Sequence, residues 1–236
     1  MCTLTYIPVD EGFIFTHNRD ESNTRPTSKT FHTRQSQNHT LYYPEDLEAH
    51  GSWIGFAENN TTACLLNGGS KKYSRKLPYR KSRGLVVLES FDYDHPERFY
   101  QEYDFHKIEP FTLLIKHLSG LYQITHDEDE TCLTEHPTEK PHIWSSTTLY
   151  SKEVRAKRRK WFEDWLAPSP DFTPANIQAF HNSAGDGDTE NDLVMSRWGI
   201  LQTLSITQIA SINGEALLTY RDFIHQSVDR VEVPLG

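Results

Sequence analysis

Residues 2–8 and 12–17 are two short runs rich in Thr, Ile, Phe and Tyr, separated by Val9-Asp10-Glu11-Gly12. Apolar and β-branched runs on either side of such a turn read as an antiparallel hairpin. Pairing them brings the polar cluster that ends the second run, Asn18-Arg19-Asp20-Glu21, back beside Cys2. The pattern returns at 53–57 with 62–66, at 111–116 with 121–125, and at 198–207 with 215–220 across Asn213-Gly214. Short strands are expected at 131–134 and 142–147, and an edge strand at 228–233.

Four segments read as helices. Residues 82–91 have Ser82 as a cap, and 96–103 carry a proline in the first turn. Residues 151–166 are capped by Ser151. Val154, Trp161, Phe162, Trp165 and Leu166 form an apolar stripe there. The cations Arg155, Lys157, Arg158, Arg159 and Lys160 are read as one wet face. Pro168 and Pro170 stop that helix, and Thr173-Pro174 start another that runs to about Asn182.

The opening hairpin also sets out a chemistry. Removal of Met1 is expected, because the next side chain is small. Cys2 would then carry a thiol and a free α-amine, with reference pKa values of about 8.5 and about 8. The amine can take the thiol proton, so nucleophile and base belong to one residue. Arg19 beside it would favour the thiolate. Asp20 could orient Arg19 or the ammonium by charged hydrogen bonds. A cysteine in a strand is also simply a small buried side chain in many proteins, and an Asn-Arg-Asp-Glu run can be a solvated turn.

Composition narrows the classes. The 236 residues suit one domain, 1–236. A net charge of -9 argues against a surface that neutralises phosphates, so no nucleic-acid partner is expected. Three cysteines, Cys2, Cys64 and Cys132, include no close pair. A disulfide framework and a metal site are therefore not expected, and a reducing compartment is. No apolar run reaches the roughly 20 residues of a membrane span. The start lacks the features of a secretory signal, and a cytoplasmic location is the expectation. No cofactor is indicated.

Other stretches leave alternatives open. Residues 22–50 read as a long polar loop, either covering a cleft above Cys2 or a solvated connector. Gly68-Gly69 allow close backbone approach to a ligand, or only turn the chain. The basic run 70–81 could grip an anion or be a wet loop. Gly185-Asp186-Gly187-Asp188 lacks the spacing of a calcium loop.

Several motifs lie in register with one family. Met1-Cys2-Thr3, Asn18-Arg19-Asp20-Glu21 and Arg25-Pro26-Thr27 resemble the NRDE family, which includes the transport-and-Golgi-organisation-2 proteins. Asp46 with Gly51-Ser52-Trp53-Ile54-Gly55, Leu65-Leu66-Asn67-Gly68, Ser82-Arg83-Gly84 and Phe111-Thr112-Leu113-Leu114 add to the likeness, which weakens after about residue 150. The resemblance implies an N-terminal-nucleophile hydrolase-like fold. That is an α+β, four-layer αββα sandwich of two stacked, mainly antiparallel sheets, distantly akin to choloylglycine and penicillin V acylases. It also implies catalytic roles for Cys2, Arg19, Asp20, Asn67 and Ser146. A substrate-binding wall would include Asn18, Glu21, Trp53, Gly68 and Arg197.

Two positions depart from the family. Ser146 stands where an asparagine is usual, and Leu201 where an arginine is usual, with Arg197 nearby. The function implied is hydrolysis of an amide, ester or thioester of a small acyl compound. The alternative is a non-catalytic binding or trafficking protein for haem, lipid or acyl-CoA, with an apolar anionic ligand as its partner.

Overall fold

The computed structural model describes residues 2–36 and 39–235. In chain order the strands and helices are β1 (Cys2–Val9), β2 (Gly12–Ser22), β3 (Thr27–Ser36), β4 (His39–Asp46), β5 (Ile54–Ala57), β6 (Thr61–Asn67), α1 (Arg83–Ser90) and α2 (Pro96–Glu102). They continue with β7 (Phe111–His117), β8 (Gly120–His126), β9 (Thr131–His136), β10 (His142–Ser145), α3 (Lys152–Leu166), α4 (Pro174–Ser183), β11 (Ser196–Arg197), β12 (Leu201–Ile212), β13 (Glu215–Asp222) and β14 (Ser227–Pro234). The expected α+β class with two antiparallel sheets is what the chain adopts: among the described residues each sheet has seven strands, and every strand pair within them is antiparallel.

The described chain divides into two compact units, one with residues 2–25 and 139–234 and the other within residues 26–138. In the first unit the sheet order is β10-β1-β2-β12-β13-β14, with β11 paired to β12. Its opening hairpin turns through Glu11 at φ 54. Gly12 is required there, since a Cβ would stand 2.0 Å from the Ser211 carbonyl oxygen. Helices α3 and α4 pack on one face through Phe162, Ile177 and Phe180 against Ile7, Ile14 and Ala210.

In the second unit the order is β3-β4-β5-β6-β7-β8-β9. Its core is hydrocarbon and aromatic: Leu41, Val86, Val87, Phe99, Phe111, Leu113 and Ile124 are each fully buried. Ser82 caps α1 by accepting from the Gly84 N–H.

Two expectations are corrected. Residues 27–36 and 39–46 are paired strands, not loop. β3 is an edge strand, buried at Thr27, Ser28 and Ser36 and partly or well exposed from Lys29 to Gln35. An edge tolerates polar Thr, Lys and Gln that an apolar-run criterion passes over. Gln37 and Asn38, counted with that loop, lie outside the described residues, as does Met1. The strand expected at 198–207 begins at Leu201 and runs to Ile212, while Trp198 and Gly199, both at positive φ, form the turn from β11.

Candidate active site

Strand register assembles the site in the first unit. Cys2 on β1 pairs with Arg19 on β2, and Arg19 pairs with Ser205 on β12. Paired strands stand about 4.8 Å apart, so the row spans about 10 Å from Cys2 to Ser205. The next row runs Leu4, His17, Thr207. The first row is nearly closed to solvent: Cys2 is 3 % exposed, Arg19 4 % and Ser205 1 %. The Ser205 Oγ and Thr207 Oγ1 atoms are buried and have no hydrogen-bond partner among the described residues. Such a hydroxyl costs about 1–3 kcal/mol when left unsatisfied.

The neighbouring pair faces the other way. Asp20 pairs with Thr203, and the register then shifts between Thr203 and Ser205. One extra residue on β12 lets Thr203 share the Asp20 side of the sheet while Ser205 shares the Arg19 side. Asp20 is fully buried. Its Oδ1 accepts from the Thr203 hydroxyl at 2.6 Å, and its Oδ2 from the Tyr150 hydroxyl at 2.5 Å. The Arg158 guanidinium lies over the Tyr150 ring, 3.6 Å from its centroid. Arg158 is itself fully buried on α3. It donates to Thr3 Oγ1, to the Asn191 carbonyl at 3.1 Å and to the Asp192 carbonyl at 2.6 Å.

A second branch reaches α4. His181 Nδ1 meets Asn18 Oδ1 at 2.5 Å, and His181 Nε2 meets Thr5 Oγ1 at 2.8 Å. Asn18 returns both amide protons to backbone, the carbonyls of His181 at 3.1 Å and Leu193 at 2.8 Å. Burial, with the Arg158 charge, lowers the His181 pKa to about 3. The ring is therefore neutral, with Nδ1 as donor to Asn18 and Nε2 as acceptor from Thr5.

Burial governs the remaining charges. It pushes the Cys2 thiol up, as does the Asp20 charge, against a hydrogen bond from the Asp20 backbone N–H. Arg19 is expected to favour the thiolate, yet the net shift of the thiol is upward, set first by burial. Burial also pushes the Asp20 carboxyl up, opposed by Arg158 and by the Thr203 and Tyr150 hydroxyls. Tyr150 is raised well above its ordinary value by burial and by Asp20, so it stays a donor.

The other predicted residues fall into place as follows. The Ser146 N–H donates to the Cys2 carbonyl at 2.9 Å, and its Oγ lies 3.0 Å from Thr148 Oγ1. Glu21 Oε1 accepts from the Ser22 N–H at 2.9 Å. Arg197 is committed to the fold: its guanidinium donates to Glu190 O at 2.9 Å, Leu149 O at 3.3 Å and Asn191 Oδ1 at 2.8 Å. Asn18 likewise serves the junction with α4, since strand alternation turns it to the helix side, away from Arg19. Asn67, Trp53 and Gly68 belong to the second unit. There Asn67 pairs with Phe111, Trp53 is 5 % exposed, and Gly68 sits at φ 92 with its N–H donating to Pro110 O at 3.0 Å.

Arg158, Tyr150, His181, Thr203, Ser205 and Thr207 are absent from the residues expected at the site. For Arg158 a signal exists. It lies four residues after Val154 and four before Phe162, at the centre of the apolar stripe, where a solvated cation does not belong. Thr203 and Ser205 depend on the bulge, which no residue pattern marks.

The family model for Transport and Golgi organisation 2 matches residues 1–192. The chain belongs to that family. None of the curated proteins matches it. Among solved structures, two forms of the conjugated bile acid hydrolase from Clostridium perfringens align with it. One is a cysteine-to-alanine mutant, with TM-score 0.55, 11 % identity, 98 % of this chain and 92 % of that one covered. The other is an arginine-to-leucine variant, with TM-score 0.56, 11 % identity and the same shares, 98 % and 92 %. A Caenorhabditis elegans ortholog of N-acylethanolamine-hydrolyzing acid amidase aligns with TM-score 0.57 and 10 % identity, over 88 % of this chain and 92 % of that chain. At these identities the likeness shows the fold, that of N-terminal-nucleophile hydrolases. Among the described residues no helix is long and apolar enough to cross a membrane, and no group of three or more His, Cys, Asp and Glu could hold a metal ion.

Proposed function

We propose that this family member is an N-terminal-cysteine hydrolase of a small acyl compound joined by an amide, ester or thioester bond. The observation that carries the reading is the pairing of Cys2 with Arg19 in a nearly dry polar row, with the Asp20 carboxylate fixed on the adjacent residue. Removal of Met1 gives Cys2 a free α-amine. That amine takes the thiol proton, and the sulfur bonds to the acyl carbon while the carbonyl electron pair moves onto oxygen. Collapse expels the amine, alcohol or thiol, which leaves with the proton held by the α-ammonium. Water then cleaves the thioester and restores the thiol. Arg19 supplies positive charge beside the sulfur, and Ser146 and backbone N–H groups serve the oxyanion. The Ser205 and Thr207 hydroxyls offer substrate two further polar contacts on the same face.

The test uses protein lacking Met1, in a Cys132→Ser background because Cys132 is an exposed competing thiol. Intact mass after a panel of acyl amides and lactones is expected to show one adduct, lost in Cys2→Ala. Folded, trimmed protein that shows neither an adduct nor Cys2-dependent turnover would falsify the reading.

One observation favours a second reading, binding or trafficking of haem, lipid or acyl-CoA. The thiol is pushed away from the thiolate form, and Leu201 and Ser146 stand where the family resemblance has arginine and asparagine. Haem titration followed spectrally and calorimetry with acyl-CoA separate the two. Unchanged spectra and no heat at micromolar protein count against the second.

A further inference from the structure

Among the cations of α3, whose charge assigns them to solvent, Arg158 is the one the fold buries completely. Burying a guanidinium costs several kcal/mol unless it is paired and hydrogen-bonded. A Leu or Met at this point of the α3 stripe would pack the helix without that cost. Two of the Arg158 partners are main-chain carbonyls, of Asn191 and Asp192. The other two lie at the site itself: Thr3, the residue after the nucleophile, and the ring of Tyr150. Tyr150 in turn donates a hydrogen bond to Asp20 Oδ2. A buried cation, a ring and a buried carboxylate thus stand in line, ending one residue from Arg19.

We propose that Arg158 and Tyr150 are positioning residues that hold the Asp20 carboxylate, from the side of the sheet away from the sulfur, as the counter-charge for the Cys2 α-ammonium. The role rests on the hydrolase reading for its purpose but not for its test. Tyr150 fixes one carboxylate oxygen and Thr203 the other, so Asp20 cannot rotate. Arg158 is the buried positive charge on that side, and it also tethers Thr3, so the carboxylate and the start of β1 are set by one side chain. The charged and titratable groups facing this assembly are Cys2 on β1, Arg197 of β11, 5.5 Å from the Tyr150 ring centroid, and His181 on α4, which is neutral. Neither Arg197 nor His181 touches the carboxylate through a hydrogen bond, so the Tyr150–Arg158 line dominates its response.

The experiment follows Asp20 directly. Protein trimmed of Met1, in the Cys132→Ser background, carries 13C at the aspartate carboxyls, and the Asp20 signal is assigned by its loss in Asp20→Asn. Tyr150→Phe keeps the ring under Arg158 and removes only the hydroxyl. Arg158→Met removes the charge, and Arg158→Lys keeps it. Iodoacetamide alkylation of Cys2, read by mass across pH, reports on the thiol and amine without any substrate. The Asp20 carboxyl is expected to titrate about one pH unit or more higher in Tyr150→Phe, in line with loss of a hydrogen bond to the charged form. Arg158→Met should move it further and Arg158→Lys less. The Cys2 alkylation profile should shift with it.

A folded Tyr150→Phe with an unmoved Asp20 midpoint overturns the proposal. So does a moved midpoint that leaves Cys2 alkylation unchanged, because the two residues would then be structural only. If the midpoint and alkylation shift together but no acyl adduct ever forms, the hydrolase reading fails and the positioning role stands. Should Arg158→Met not fold, Tyr150→Phe alone decides.

Discussion

The two sheets have the same number of strands among the described residues and the same antiparallel pairing, and both pack on helices through apolar clusters, but only the first adds a buried polar network at one end. Around α1 and α2 the interior is hydrocarbon and aromatic, with Val86, Val87, Phe99 and Leu113 fully buried. Around α3 and α4 the end of the sheet that carries Cys2 is joined through Thr3, Thr5, Asn18, Asp20, Arg158 and His181, all fully buried. A hydrophobic interior loses stability smoothly as atoms are removed. A polar interior loses it in steps, because each deletion strands a partner. The first unit therefore accepts a less forgiving interior at that end than its fold requires, and it does so beside the candidate nucleophile.

The steepest step should be Arg158→Met. It leaves the Asn191 and Asp192 carbonyls without their donor and Asp20 without its buried cation. Breaking a buried ion set from one side costs about 3–5 kcal/mol. Denaturant unfolding of trimmed protein measures it. A loss under about 1 kcal/mol would mean the network is not what holds α3, and the contrast between the sheets would collapse.

Leu113→Ala in the second unit is the matched deletion in hydrocarbon. Leu113 is fully buried in the cluster beneath α1, and the expected loss is about 2–4 kcal/mol. Its signature should differ as well. The loss should be the same at pH 5 and pH 8, because nothing titratable is stranded, whereas the Arg158→Met loss should change with pH as Asp20 changes charge.

Much of this arrangement is legible in the order of residues. The turn at Asp10-Glu11 and the alternation on both sides fix the Cys2–Arg19 pairing, because register in a hairpin follows from the turn. Caps at Ser82, Ser151 and Thr173 mark three helix starts. The remainder is set by tertiary packing. β3 is a polar edge strand whose pairing depends on β4, whereas β4 does carry an apolar signal, Leu41-Tyr42-Tyr43, with Leu41 and Tyr43 in the core, which the polar residues around it mask. Charge groups Arg158 with Lys157 and Arg159, although its helical position is apolar. Ser205 and Thr203 face opposite sides only because β12 bulges between them, and a bulge is decided by the strands on both sides.

His181 sharpens the contrast through pH. Its folded pKa is about 3 against an ordinary 6.5. Between those values the unfolded chain binds a proton that the folded ring refuses, so stability falls as pH drops through that window, on the order of 1 kcal/mol per pH unit. Asp20 works in the opposite sense. Its raised folded pKa makes stability fall as pH rises above its ordinary value of 3.8. His181→Gln removes the first contribution and leaves the second, so the acid-side slope of stability should flatten or reverse between pH 6.5 and 4. An unchanged slope would mean the ring is protonated or solvated in the folded protein, and the neutral Asn18–His181–Thr5 bridge would be wrong.

The smallest effect tests the same helix on its other side. Lys160 lies two residues beyond Arg158 and pairs with Asp164 at 2.8 Å, with side chains 71 % and 59 % exposed. Water and salt screen such a pair, and holding two long side chains in one geometry offsets most of what attraction remains. Lys160→Ala should leave the thermal midpoint within experimental error and the Cys2 alkylation profile unmoved. The comparison with Arg158 is then between two cations on one helix, separated by position on its circumference and by nothing in their formal charge. If Lys160→Ala lowered the midpoint as far as Arg158→Met does, the net charge of α3 would be the controlling quantity, and the distinction between its buried and wet faces would have no energetic content.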